Sequence, residues 1–86
     1  MTQKHTPGPW FYSNGEVYDI KDNQICLVSY YQDGRVKANA ALIAAAPDLL
    51  NAVEHLLLIA METASEDNIV IIAAEHAIAK AYGVIE

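Results

Sequence analysis

The sequence has no signal for an internal disulfide, for export or for membrane insertion. There is a single cysteine, Cys26, so no internal disulfide can form, and a lone thiol is typical of a reducing compartment. No run of about 18 uncharged apolar residues is present to span a bilayer. The N-terminus has no basic segment followed by an apolar one, which a secretory signal needs. We therefore expect a cytoplasmic protein with no membrane segment.

Basic side chains are also scarce. The chain has five Lys and Arg against eleven Asp and Glu, a net charge of −6. Residues 36–86 hold two basic and seven acidic side chains, so this part alone has a net charge of −5. A surface that binds phosphate needs clustered Lys and Arg. Nucleic acid is therefore an unlikely partner on charge grounds.

Residue patterns for catalysis or metal binding are missing as well. His55 and His76 have no second ligand at the i+4 spacing of a one-helix zinc site, and a site assembled across two helices is the less favoured alternative. Asp19, Asp22 and Asn23 lack the glycine and terminal glutamate of a calcium loop, so turn chemistry explains them better. No serine lies in a glycine-flanked elbow. We expect no enzymatic activity, no metal and no cofactor.

The first part of the chain has the pattern of a small antiparallel sheet. Residues 1–9 contain two prolines and a glycine, which predicts an extended N-terminal arm. Asn14-Gly15 is a strong signal for a type I′ hairpin turn, because both residues tolerate a positive φ. A polar turn follows at 21–24. The predicted strands are 10–13, 16–20 and 25–31.

The third predicted strand is apolar on both faces. Ile25 and Leu27 alternate with Cys26 and Val28, so period-2 geometry places the two pairs on opposite faces. The apolar neighbours of Cys26 favour a packed thiol over a reactive one. We expect one face of this strand to meet the helices and the other to meet a partner or to be partly exposed.

From residue 36 the composition changes to Ala, Leu, Ile and Glu, which favour helix. Pro47 interrupts the pattern and suits the first turn of a new helix. Ser65 is the predicted N-cap of the last helix, and Gly83-Val84 predicts its left-handed stop. The predicted helices are 36–45, 47–63 and 66–82. Together the elements predict an α+β fold: a three-stranded antiparallel meander, then a short helix and an antiparallel helix pair, in a single domain over 10–86.

Aromatic side chains in the strands are the feature most suggestive of function. Their first explanation is core and cross-strand packing, and their functional explanation is a protein-binding face. A small-ligand or nucleotide-binding module, using this sheet and a subunit interface, is the alternative. The candidate partner-binding residues are Trp10, Tyr12, Tyr18, Tyr30 and Tyr31.

The last two predicted helices carry more apolar surface than one small sheet can cover. A helix that is apolar almost all round is either central or shared between subunits, and in 86 residues sharing is favoured. We expect a homo-oligomer, with a dimer favoured. The candidate self-interface residues are Leu57, Leu58, Met61, Ile69, Ile72 and His76.

Two segments carry a resemblance to a known class of proteins. They are His5-Thr6-Pro7-Gly8-Pro9-Trp10 and the run ANAALIAAAPDLL over 38–50. In this order they resemble small proteins encoded by tailed bacteriophages and prophages. Ala41 and Asn23 depart from the pattern, where arginine and glycine are expected in such proteins.

The resemblance implies a setting in the cytoplasm of an infected bacterium and supplies no catalytic residue. A structural role is enough to explain the second segment, since its alanines allow close helix packing and Pro47 fixes an angle between helices. We expect a non-enzymatic accessory protein that binds a host or phage protein. Interference with a bacterial defence or regulatory system is one role that fits this expectation.

Overall fold

A computed structural model describes residues 5–28, 35–65 and 67–84. Three antiparallel strands are followed by three helices in these residues, which confirms the predicted α+β class. The chain divides into two units between Asp48 and Leu49, and each is described by itself. The elements are β1 Phe11–Ser13, β2 Glu16–Tyr18, β3 Gln24–Leu27, α1 Arg35–Ala44, α2 Ala46–Thr63 and α3 Ile69–Ala81.

The sheet has the order β1-β2-β3, and the turn that starts it was predicted correctly. Asn14 has φ 51° and Gly15 has φ 77°, the two positive values of a type I′ turn. Space at position 15 is also tight, because a Cβ there would lie 3.1 Å from Cγ1 of Val36. The turn and the glycine together fix the pairing of Ser13 with Glu16.

A β-bulge in β3 corrects the predicted alternation of that strand. Cys26 pairs with Val17 and Gln24 pairs with Tyr18, so Ile25 is an extra residue in the ladder. Ile25 and Cys26 therefore both pack against the core, where strict alternation had separated them. Leu27 points to the other face and is 69% exposed. Residues 29–31 of the predicted strand lie outside the described residues.

β2 ends at Tyr18, two residues before the predicted end, because Asp19 starts a turn. Its Oδ1 accepts hydrogen bonds from the backbone N–H groups of Lys21 and Asn23, each at 2.8 Å. The Asn23 side chain donates to its Oδ2 at 3.1 Å. These bonds, the Asn23 N–H first, lower the pKa of Asp19, since they favour the carboxylate. The predicted turn chemistry of these residues is confirmed.

The core of the first unit lies between the sheet and α1, which packs on β1 and β2. Val17 and Ala40 are fully buried, and Ala44 is nearly so. Trp10, Ile25, Cys26, Val28 and Ile43 pack around these three residues. Alanine at positions 40 and 44 lets the helix approach the strands closely, as the alanine-rich sequence indicated.

The two segments that carry the phage resemblance contact each other in this unit. Gly8 lies against Pro47, and a Cβ on Gly8 would come within 2.7 Å of Cβ of Pro47. Trp10 Nε1 donates to the carbonyl of Thr6 at 3.2 Å, so the described part of the arm folds back on itself. His5 meets Trp10 edge to face, with ring centroids 6.2 Å apart. The arm thus closes one end of the core, which gives both segments a structural role.

The second unit contains α3 and the part of α2 from Leu49 onward. The Oη of Tyr82, just after α3, donates to Oε1 of Glu54 in the first half of α2 at 3.0 Å, as expected for antiparallel neighbours. The helix stop at Gly83 is confirmed. Gly83 has φ 75°, and the N–H of Val84 donates to the carbonyl of Ala79 at 2.9 Å, a Schellman motif.

The start of α3 differs from the prediction. Asn68 is the N-cap, and its side chain accepts a hydrogen bond from the N–H of Val70 at 2.8 Å. Ser65 instead accepts from the N–H of Asp67 with its Oγ, and from the N–H of Asn68 with its carbonyl. Ser65 therefore belongs to the turn that precedes the cap, so the helix starts three residues later than predicted.

Candidate functional site

The predicted partner-binding aromatics do not form one surface. Trp10 is half-buried against the core, while Tyr12 is 43% exposed. Tyr12 pairs with Val17, so it lies on the α1 side of the sheet, whereas Tyr18 lies on the opposite side. Tyr30 and Tyr31 lie outside the described residues. Of the predicted set, Tyr18 is the member on the side of the sheet away from α1.

That side of the sheet is the candidate site, and we call it the open sheet face. Strand register places Phe11 directly opposite Tyr18, and Leu27 directly opposite Glu16. Phe11 is 53% exposed and Leu27 is 69% exposed. The residues of the open sheet face are Phe11, Ser13, Glu16, Tyr18, Gln24 and Leu27.

A carboxylate at the centre of the open sheet face is held by its neighbours. Tyr18 Oη donates to Oε2 of Glu16, and Gln24 Nε2 donates to Oε1 of Glu16 at 3.1 Å. The hydrogen bond to Glu16, followed by partial burial, raises the pKa of Tyr18 above its ordinary value. The two donors fix the orientation of the Glu16 side chain, so the face presents an ordered negative charge between two apolar side chains.

The chemistry of the open sheet face favours a protein partner over a phosphate. None of its six residues is Lys or Arg, and Glu16 adds a negative charge that repels phosphate groups. Aromatic and aliphatic side chains beside an ordered carboxylate match a partner with an apolar side chain next to a basic one. Sequence reasoning missed Phe11 and Leu27 because their side of the sheet depends on the strand register and the bulge.

The predicted self-interface residues are mostly exposed in the second unit. Leu58 is 65% exposed, Ile69 is 80%, Ile72 is 51% and Met61 is 45%. His76 is also exposed, and Leu57 is half-buried. The part of these residues in self-association stays a prediction.

Neither a metal-binding cluster nor a single membrane-spanning helix is found in residues 5–28, 35–65 and 67–84. In these ranges no three His, Cys, Asp or Glu side chains are grouped so that they could hold a metal ion. No single helix there has the length and apolar content to cross a membrane. The bent pair α1 and α2 meets that length and composition only when both helices are taken together.

A family model described as Salmonella phage P22 protein Y8K6 matches residues 1–84. This match covers both units, including the open sheet face and the α2–α3 pair. No curated protein matches the chain, and no solved structure does.

Proposed function

We propose that this chain, which belongs to the family of Salmonella phage P22 protein Y8K6, is a non-enzymatic phage or prophage accessory protein that binds other proteins. Its partner is a host or phage protein. Modulation of a bacterial defence or regulatory system is the role that best fits a small acidic protein of this origin. The family match supports the phage setting, and the open sheet face supports the binding mode.

The observation that carries the proposal is the composition of the open sheet face. Phe11 and Leu27 are large, apolar and more than half exposed, and the bonded Glu16 lies between the strands that carry them. Exposed aromatic and apolar side chains around a fixed polar group are typical of the anchor region of a protein interface. The partner side chains that suit this face are an apolar residue and an Arg or Lys.

The experiment compares capture of host and phage proteins by tagged wild-type protein and by the double variant Phe11→Ala, Leu27→Ala in infected cells. The control is Leu58→Ala, which removes an apolar side chain of similar exposure from the second unit. We expect a partner that the wild type and the control retain, and that the double variant loses at least tenfold.

Two further measurements make the result decisive. Titration of the recovered partner with each purified variant gives the dissociation constants, and the double variant must keep the wild-type circular dichroism spectrum. Equal affinity of the folded double variant and the wild type would exclude the open sheet face. Absence of any partner that distinguishes the variants would contradict the proposed function.

A further inference from the structure

The α2–α3 pair shows a regular division between sheltered and exposed positions. One set of nine residues is buried or half-buried, and we call it the inner seam: Leu50, Val53, Leu57, Ala60, Ala64, Ile71, Ala74, Ile78 and Tyr82. Glu54 and Ala79, each one position after a member of this set, are half-buried as well. The residue before each member of the inner seam is exposed in every case, and we call that set the outer seam: Leu49, Ala52, Leu56, Ile59, Thr63, Val70, Ala73, Ala77 and Ala81. No member of the outer seam is charged. Val84, which lies beyond the end of α3, is 72% exposed as well.

Both halves of the outer seam lie on the same side of the hairpin. A step of one residue is a rotation of about 100° around a helix. Viewed from one end of an antiparallel pair, the chain turns counter-clockwise in one helix and clockwise in the other. The two helices also face each other from opposite directions. A backward step from the inner seam therefore leads to the same side of the hairpin on α2 and on α3. Spacings of three and four residues along each half are those of a coiled-coil seam.

The size of this side fits a modest protein interface. Leu49 to Thr63 rise about 21 Å along α2, and Val70 to Ala81 rise about 17 Å along α3. With neighbouring helices about 8–10 Å apart, the outer seam covers a footprint on the order of 400 Å². This footprint is about half of the roughly 800 Å² of accessible surface that each partner buries in a standard interface. The accessible surface is larger than the footprint, because the surface of a helix is corrugated, and a patch of this size is within the range of the largest apolar patch on a monomer.

A second copy fits the outer seam because the seam is complementary to itself. The bond between Glu54 and Tyr82 sets which residues of α2 and α3 lie at the same height. Ile59 is then level with Ala77. A twofold axis parallel to the helices places α2 of one copy over α3 of the other at unchanged height. Ile59 of one copy then meets Ala77 of the other, a large side chain against a small one, which is how helix layers interdigitate.

The negative charge of this part of the chain argues against a lipid surface or a nucleic acid as the occupant of the outer seam. Residues 49–86 carry six acidic side chains and one basic, a net charge of −5, which repels anionic lipid and nucleic acid. The opposite side of the hairpin, with Leu58, places Glu54 and Glu75 near a facing copy. Two copies that meet through the outer seam keep these carboxylates apart.

We propose that the outer seam is a self-association surface through which two copies of this chain form a four-helix bundle. Each helix of such a bundle touches two neighbours, which accounts for two adjacent apolar seams on one helix. The proposal is independent of partner binding by the open sheet face, since the two surfaces share no residue.

The test is sedimentation equilibrium on wild-type protein and on two matched variants. Leu56→Glu places a charge in the outer seam, and Leu58→Glu places one on the opposite side at nearly equal exposure, 64% against 65%. At about 100 µM, a hundredfold above a micromolar dissociation constant, we expect twice the 9.4 kDa chain mass for wild type and Leu58→Glu. Leu56→Glu should raise the dissociation constant at least tenfold.

A third variant separates specific pairing from general stickiness. Ala77→Leu adds apolar surface but fills the space into which Ile59 of the other copy packs, so specific pairing predicts a weaker dimer. Non-specific association would become stronger. Monomeric wild type overturns the proposal, as does a Leu58→Glu variant that dissociates while Leu56→Glu remains dimeric. If Leu56→Glu loses its helical signal, Ala77→Leu decides.

Discussion

Glu16 and Tyr18 show how a single strand carries both core and surface functions. Val17 between them is fully buried, while its two neighbours share a hydrogen bond on the open sheet face. The sequence alone placed all three residues in a strand. It did not indicate that Glu16 accepts from both Tyr18 and Gln24, since the position of Gln24 depends on the bulge at Ile25.

The raised pKa of Tyr18 predicts a loss of stability at alkaline pH. A group whose pKa is higher in the folded state stabilises the fold below its unfolded pKa, and that contribution disappears as pH rises through the folded pKa. For a tyrosine this window starts at roughly pH 10. Tyr18→Phe should therefore show a smaller fall in Tm between neutral and alkaline pH than wild type, measured by circular dichroism.

The control for this prediction is Tyr12→Phe, which removes a phenol from the neighbouring strand and leaves Glu16 bonded. It should keep the wild-type fall in Tm. Tyr82, whose pKa is raised by partial burial and by its bond to Glu54, accounts for part of the remaining dependence in Tyr18→Phe. Equal pH profiles for Tyr18→Phe and wild type would contradict the assigned hydrogen bond.

At the scale of elements, local signals were sufficient where one residue type decides the conformation. Asn14-Gly15 and Gly83 adopt the positive φ that their sequence predicted, and Pro47 lies in the first turn of α2. Where two nearby residues could fill the same role, the sequence prediction chose the wrong one. Ser65 and Asn68 are both good N-caps, and the turn between the helices selects Asn68.

The observed cap predicts unequal effects of two alanine substitutions. Asn68→Ala removes the acceptor for the N–H of Val70 and should reduce the free energy of unfolding by about 1 kcal/mol, as typical for an N-cap. Ser65→Ala removes only the longer bond to Asp67, at 3.2 Å, and should cost less. Urea unfolding of both variants measures the difference, and a larger loss for Ser65→Ala would restore the earlier helix start.

At the scale of the whole molecule, composition predicted an excess of apolar helix surface, and the structure gives it a pattern. α2 has no buried residue and α3 has one, Ile71. The sequence does not show which side of the hairpin is sheltered, because every side of α3 carries apolar residues. The side is assigned only when exposure is compared position by position along both helices. The part of Leu58 and Ile72 in self-association stays a prediction. The Leu58→Glu variant tests the side of the hairpin that carries them.

The measurement that tests the account most directly is the thermal unfolding of wild-type protein over a hundredfold range of concentration, followed by helical circular dichroism. If the outer seam is covered by a second copy, folding of the helices is coupled to association. A hundredfold rise in concentration then adds about 2.7 kcal/mol of stability per mole of dimer, and Tm should rise by roughly 5–10 °C because two chains unfold together. A Tm that does not change with concentration would mean that the α2–α3 pair is stable without a second copy, and would contradict the central claim.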